Sequence, residues 1–147
     1  MIALDTNILV YAAGRNDRRG RDGAARALLD TIAPLPTLVP LQVLGEFLNV
    51  CRRKQIATVK AGIALVDIWM ERYDCPATQP ADLTAAADVS GRHNLQFFDA
   101  LILAVARRAG ANVLLSEDMQ DGAEIGGVRI VDPFAAANAV WLAGLSR

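Results

Sequence analysis

Three stretches of this chain that otherwise read as buried core each carry one isolated acid. Asp5 is the only charged residue between Met1 and Gly14, Glu46 the only one between Pro34 and Cys51, and Asp99 the only one between Asn94 and Ala106. An ionised carboxylate in apolar company is costly unless it is paired, hydrogen-bonded or bound to a cation. The fold must satisfy each acid locally or bring them together. Local solutions exist: Asp5 can cap the turn after its strand, and Asp99 and Asp118 can cap helices. Glu46 can lie on a solvated helical stripe with Gln42, Asn49 and Arg53.

The apolar pattern around these acids alternates short strands with helices. Residues 2–5 read as a buried strand ending in Asp5, with helical turns from Asn7 to Ala13. A glycine- and arginine-rich connection follows over Gly14–Gly23, then a helix over Ala24–Ile32. Pro34 and Pro36 precede a strand at Thr37–Val39, and Pro40 suits the first turn of a helix reaching Arg53. Thr58 can cap a helix in which Val59, Ile63, Val66 and Met70 recur at helical spacing. After an extended link at Cys75–Gln79, a helix opens at Pro80-Ala81-Asp82 and reaches about Arg92. Another runs from Asp99 to Gly110, a residue suited to a helix end. Strands at Asn112–Ser116 and Val128–Val131 follow, and Pro133 opens a last alanine-rich helix. This pattern indicates an α/β domain, residues 1–147, with a largely parallel central sheet of four to five short strands flanked by helices.

Composition narrows the chemistry. Apolar residues make up 53% and charged residues 21%, which suits a compact globular chain. No apolar run reaches the roughly 18 residues of a membrane span. The N-terminus lacks the basic and apolar regions of a signal peptide. Cys51 and Cys75 are far apart without CxxC spacing, so two reduced thiols and a cytoplasmic location are expected. His93 is the sole histidine, so no zinc site of the Cys/His kind can be assembled, and any metal must be held by oxygen. Arg15, Arg18, Arg19, Arg21 and Arg26 cluster within a net charge of −1, and Arg52-Arg53-Lys54 form a second basic group. Such clusters can meet a polyanion or merely keep a loop soluble.

In open parallel sheets the functional crevice lies beyond the carboxyl ends of the strands. Asp5 ends the first strand, and Glu117 and Asp118 follow the strand at 112–116. If those strands are neighbours, their acids converge, and Asp99 can face the same edge. Two carboxylates about 5 Å apart repel by roughly 3 kcal/mol at an effective dielectric of 20. The apolar segments contain no lysine or arginine to offset this. A divalent cation is the economical solution, and hard Mg²⁺ or Mn²⁺ suits all-oxygen ligation.

Leu4-Asp5-Thr6-Asn7-Ile8-Leu9-Val10-Tyr11 closely resembles the opening motif of PIN domains. Gly45-Glu46-Phe47 resembles that family's second-acid segment, Phe98-Asp99-Ala100-Leu101-Ile102-Leu103-Ala104 its third, and Ser116-Glu117-Asp118 its Thr/Ser-x-Asp motif. Order, spacing and chain length agree over nearly the whole sequence. Small PIN proteins of this kind resemble VapC toxins of type II toxin–antitoxin systems. The resemblance implies a Mg²⁺-dependent ribonuclease with Asp5, Glu46, Asp99 and Asp118 as catalytic, metal-binding acids. Thr6, Asn7 and Ser116 would hold those carboxylates in orientation. Asp121 is either an extra ligand or a turn residue before Gly122, and Arg15, Arg18, Arg19 and Arg53 are candidate RNA contacts. The family also implies a homodimer and a cognate antitoxin near the acids. The helix at Thr58–Tyr73, with Trp69, Met70 and Tyr73, can serve such contacts or pack into the core.

Two other classes fit an early strand-ending aspartate. A haloacid-dehalogenase-like phosphatase normally has a second aspartate two residues on, where this chain has Asn7, and a receiver domain needs a late lysine, whereas the last one here is Lys60. A non-catalytic metal- or partner-binding module would bind metal without cleaving RNA.

Overall fold

The structure, a computed structural model, describes residues 1–14, 19–56 and 58–145. Strand β1 (Ile2–Leu4) is wholly buried and sits inside a five-stranded sheet with β2 (Thr37–Leu38), β3 (Val113–Leu115), β4 (Glu124–Ile125) and β5 (Val128–Val131), in the order β2-β1-β3-β5-β4. All pairings are parallel except β4 with β5. Seven described helices flank it: α1 (Thr6–Ala12), α2 (Arg21–Ile32), α3 (Leu41–Lys54), α4 (Val59–Arg72), α5 (Pro80–His93), α6 (Phe97–Arg108) and α7 (Ala139–Gly144). None of them is long and apolar enough to cross a membrane.

The strand order places the site. From β1 the chain goes to β2 on one side, while β3 pairs on the other, with Ile2, Ala3 and Leu4 opposite Val113, Leu114 and Leu115. The crevice between β1 and β3 is thus the topological switch point of the sheet, where open α/β folds bind ligands. The two acid-bearing strand ends are indeed neighbours.

The main core surrounds the sheet. Phe47 of α3 meets Trp69 of α4 edge-on at 4.8 Å between ring centroids. A smaller cluster, Ala86, Ala100, Leu101, Ala104 and Val105, joins α5 to α6. Arg108 closes that pair, with Nε donating to Asp82 Oδ1 at 2.9 Å and Nη2 to the Ala77 carbonyl at 2.7 Å.

Several expected boundaries shift. Helix α2 starts at Arg21, inside the stretch read as a connection. Helix α6 starts at Phe97 after Gln96, so Asp99 lies within its first turn rather than at its cap. The segment after Pro133 forms a 3-10 turn at Ala136–Asn138 before the short α7, rather than one continuous helix. Strand β4 was not foreseen. It turns into β5 through Gly126 and Gly127, whose φ angles of 58° and 82° are the positive values a tight two-residue hairpin demands.

Candidate functional site

Asp5 leaves β1 and caps α1, buried to 4% exposure. Its Oδ1 accepts the Thr6 amide at 2.6 Å and its Oδ2 accepts the Ser116 hydroxyl at 2.6 Å. Burial pushes its pKa from 3.8 up to about 7; the two hydrogen bonds pull it down, and the charges of Asp99 and Asp118 push it up again.

The remaining acids converge around it through the residues next to it in sequence. Thr6 Oγ1 donates to Glu46 Oε2 at 2.9 Å, and Gln42 Nε2 donates to Glu46 Oε1 at 2.6 Å. The Asn7 side-chain amide donates to Asp118 Oδ2, and the Asp118 amide donates to Ser116 Oγ at 3.3 Å. The tripeptide Asp5-Thr6-Asn7 therefore supplies one acid and holds two more. Asp99, half-buried, has its pKa raised by burial and then by the charges of Asp118 and Glu46. Among the described residues its carboxylate has no hydrogen-bond partner, and no lysine or arginine forms an ion pair with any of the four acids.

Asp99 stands between two openings. One, of about 660 Å³, lies along α3 with Glu46, Arg53 and Phe98; the other, of about 410 Å³, is walled by Asn94, Gln96 and Asp118. The stripe Gln42, Glu46, Asn49, Arg53 is not a purely solvated face, because it lines the larger opening.

The loop after β3 sorts its three acids. Glu117 points away from the cluster: its Oε1 accepts the Tyr11 hydroxyl at 2.6 Å and its Oε2 pairs with Arg21 at 2.7 Å. Arg21 also lies over the Tyr11 and Phe134 rings, so this network joins α1, α2 and two loops. Asp121 is tied elsewhere. Its Oδ1 accepts the Asp132 amide and the Asn138 side chain, both at 2.9 Å, and these bonds lower its pKa. That bonding supports the turn-residue reading of Asp121, since this oxygen holds the turn together. Asp118 alone of the three shares hydrogen bonds with the Asp5 neighbourhood.

The roles of four residues were not legible in the sequence. Gln42 reads only as part of a helical stripe, Arg21 only as part of a basic cluster, and Tyr11 and Glu117 only as members of motifs. Yet Gln42 holds Glu46, and the other three form one network. Arg19 is exposed, and Arg15 and Arg18 lie outside the described residues.

The donor set is entirely oxygen, which fits a hard divalent ion. Among the described residues no three His, Cys, Asp or Glu side chains are grouped so that together they could hold an ion. The fit is therefore to an ion of the Mg²⁺ kind, held by one or two carboxylates and keeping several waters.

Fold and site together define an open α/β domain whose chemistry sits in a carboxylate cluster at the switch point of its sheet. The PIN domain family model matches residues 2–120, and the chain belongs to that family. It is 34% identical over 124 residues to Ribonuclease VapC7 of Mycobacterium tuberculosis, covering 80% of this chain and 82% of that protein. Its fold resembles that of M. tuberculosis VapC20, a sarcin-ricin loop cleaving toxin, with a TM-score of 0.65 and 22% identity over 78% of this chain and 87% of that one. It also resembles VapBC2 from Rickettsia felis, solved bound to a DNA fragment from its promoter, with a TM-score of 0.65 and 18% identity over 88% and 97% of the two chains. A toxin–antitoxin complex from Klebsiella pneumoniae gives a TM-score of 0.63 and 19% identity over 91% and 98%.

Proposed function

We infer that this chain is a PIN-domain endoribonuclease of the VapC toxin type, metal-dependent and held by an antitoxin partner. One observation carries the reading most strongly: Asp5, Glu46, Asp99 and Asp118 gather at one crevice, with no cationic side chain paired to them among the described residues.

Mg²⁺ is the ion we assign: Asp5, Asp99 and Asp118 would hold one or two such ions, one or two carboxylates directly and the rest through bound water, with Glu46 as a ligand of the second ion or of bound water. When bound, such an ion acidifies a water and stabilises charge developing on the phosphate. The chain's own residues do the positioning. Ser116 and the Thr6 amide fix the two oxygens of Asp5, the Thr6 hydroxyl and Gln42 fix those of Glu46, and Asn7 fixes Asp118. Asp99 keeps its oxygens open to the crevice. Arg53, and with it Arg15, Arg18 and Arg19, would meet RNA phosphates.

The antitoxin and a second copy of the chain are the expected protein partners. Trp69 and Tyr73 are buried in the core, but Val59, Ile63 and Met70 of α4 are exposed and form the apolar stripe suited to such a contact. Two free cysteines fit a cytoplasmic location.

The test is cleavage of a structured RNA in Mg²⁺ by the wild type and by Asp5→Asn. Cleavage by the wild type alone is expected; equal cleavage by both would sink the assignment.

A further inference from the structure

The larger opening beside Glu46 and Asp99 has features that holding the acids does not require. Gly45 lies inside α3, where glycine is disfavoured relative to alanine. It has no positive φ, and a Cβ added there would meet no atom within 4 Å. Neither packing nor backbone conformation accounts for it. What it does is leave one wall of the cleft open.

The same cleft is lined by Phe98, a large apolar side chain left 63% exposed. Its ring is braced edge-on by Phe97 at 5.5 Å, and its carbonyl accepts Gln42 Nε2 at 3.4 Å. It adjoins Asp99 in the first turn of α6, so an aromatic face is fixed beside the acid cluster. Asn49 and Gln96 line the same cleft, and the Gln96 side chain makes no capping hydrogen bond. Arg53, exposed at the end of α3, forms no ion pair among the described residues.

Charge complementarity points to the occupant. Four carboxylates repel a polyanion, so affinity for RNA must come from groups beside them. A free aromatic face stacks on any unpaired base, and a nearby arginine meets a phosphate. We propose that this cleft binds the unpaired nucleobase next to the scissile phosphate. Phe98 stacks on the base, Gly45 leaves the depth it needs, and Arg53 takes a neighbouring phosphate. This rests on the ribonuclease reading above and adds to it a requirement for single-stranded RNA at the cut.

The test uses Phe98→Leu, Phe98→Trp and Gly45→Leu. Binding of a fluorescent, mixed-sequence unpaired RNA and of its abasic counterpart is measured in the Asp5→Asn background. Steady-state cleavage is measured in otherwise wild-type protein. Phe98→Leu and Gly45→Leu are expected to weaken binding about tenfold, the scale of one lost base stack. KM should rise more than kcat falls, and Phe98→Trp should restore both. Abasic RNA should bind alike with and without the Phe98→Leu substitution, and Gly45→Leu should melt no lower than the wild type. Unchanged affinity and KM in both leucine variants, with the wild type still cleaving, would overturn the proposal. So would a loss confined to antitoxin binding, which would make the cleft a protein groove. A wild type that neither binds nor cleaves RNA would instead defeat the ribonuclease reading, and this proposal with it.

Discussion

Ser116 Oγ donates a 2.6 Å hydrogen bond to Asp5 Oδ2, joining the ends of two adjacent parallel strands across 111 residues of sequence. The bond opposes burial, which pushes the Asp5 carboxyl up to about 7. Removing it should push the carboxyl higher still, so Ser116→Ala moves the acidic limb of the pH–rate profile to higher pH. Hydrogen bonds that orient metal-binding carboxylates are typically worth about 10–100-fold in activity. A loss of that size, smaller at alkaline pH, is expected in kcat/KM. An unchanged profile would remove Ser116 from the chemistry.

Asp5 also makes the metal-free protein pH-sensitive in a particular direction. Its folded pKa lies above its unfolded one, so the fold prefers the neutral acid. The stability penalty is absent below 3.8, grows as pH rises, and is complete above about 7. At about 1.4 kcal/mol per pH unit its ceiling is on the order of 4 kcal/mol. Asp5→Asn should therefore melt above the wild type at pH 8 without metal, with the gap closing toward pH 4. Saturating Mg²⁺ should raise the wild-type Tm at pH 8 and leave the variant unmoved.

The two neighbouring loop acids should separate cleanly. Asp118→Asn is expected to abolish cleavage with little change in Tm. Glu117→Gln removes the charge that pairs with Arg21 and should instead lower Tm by several degrees while leaving cleavage within about tenfold. Thermal melts and single-turnover rates on the two proteins decide this.

Asp82 and Arg108 clamp α5 to α6 away from the acids. The Arg108 guanidinium holds the Asp82 carboxyl below the usual carboxylate range. A depressed folded pKa contributes stability that is fully present above the unfolded value near 4 and is lost as pH falls through the folded one. Asp82→Asn should cost on the order of 5 °C in Tm at pH 7. That cost should shrink only below about pH 4, and cleavage should persist at temperatures where the variant stays folded.

How much of this could be read from the chain depends on whether the decisive contact is local. Asp5, Glu46 and Asp99 were visible because each is a lone charge in an apolar segment, and Asp118 because of its motif. Glu117 is drawn from the site by Tyr11 and by Arg21, the latter at the start of a helix whose first turn holds no large apolar residue. Asp121 is spoken for by Asp132 and Asn138, and no local pattern announces those bonds. In α4 the helical period was right but the stripe was displaced. Val59, Ile63 and Met70 are exposed, while Gly62, Val66 and Trp69 are buried. Gly62 lets the helix approach closely: an added Cβ would meet Leu48 Cδ2 at 3.4 Å and Cys51 Cβ at 3.7 Å. Counting apolar residues misses a contact made by the absence of a side chain. The β4–β5 hairpin is signalled in the sequence by Gly126-Gly127 alone, because its strands are too short to show an alternating pattern.

The central claim is that the gathered carboxylates cut RNA by metal-assisted hydrolysis. The chemistry of the cut ends tests it most directly. Attack by water opens the phosphodiester to a hydroxyl and a phosphomonoester, whereas attack by the ribose 2′-hydroxyl leaves a 2′,3′-cyclic phosphate. Mass spectrometry of an RNA cleaved in Mg²⁺ should show no cyclic phosphate, and no product at all after chelation. Cyclic phosphate ends, or the same products formed in excess chelator, would contradict the account.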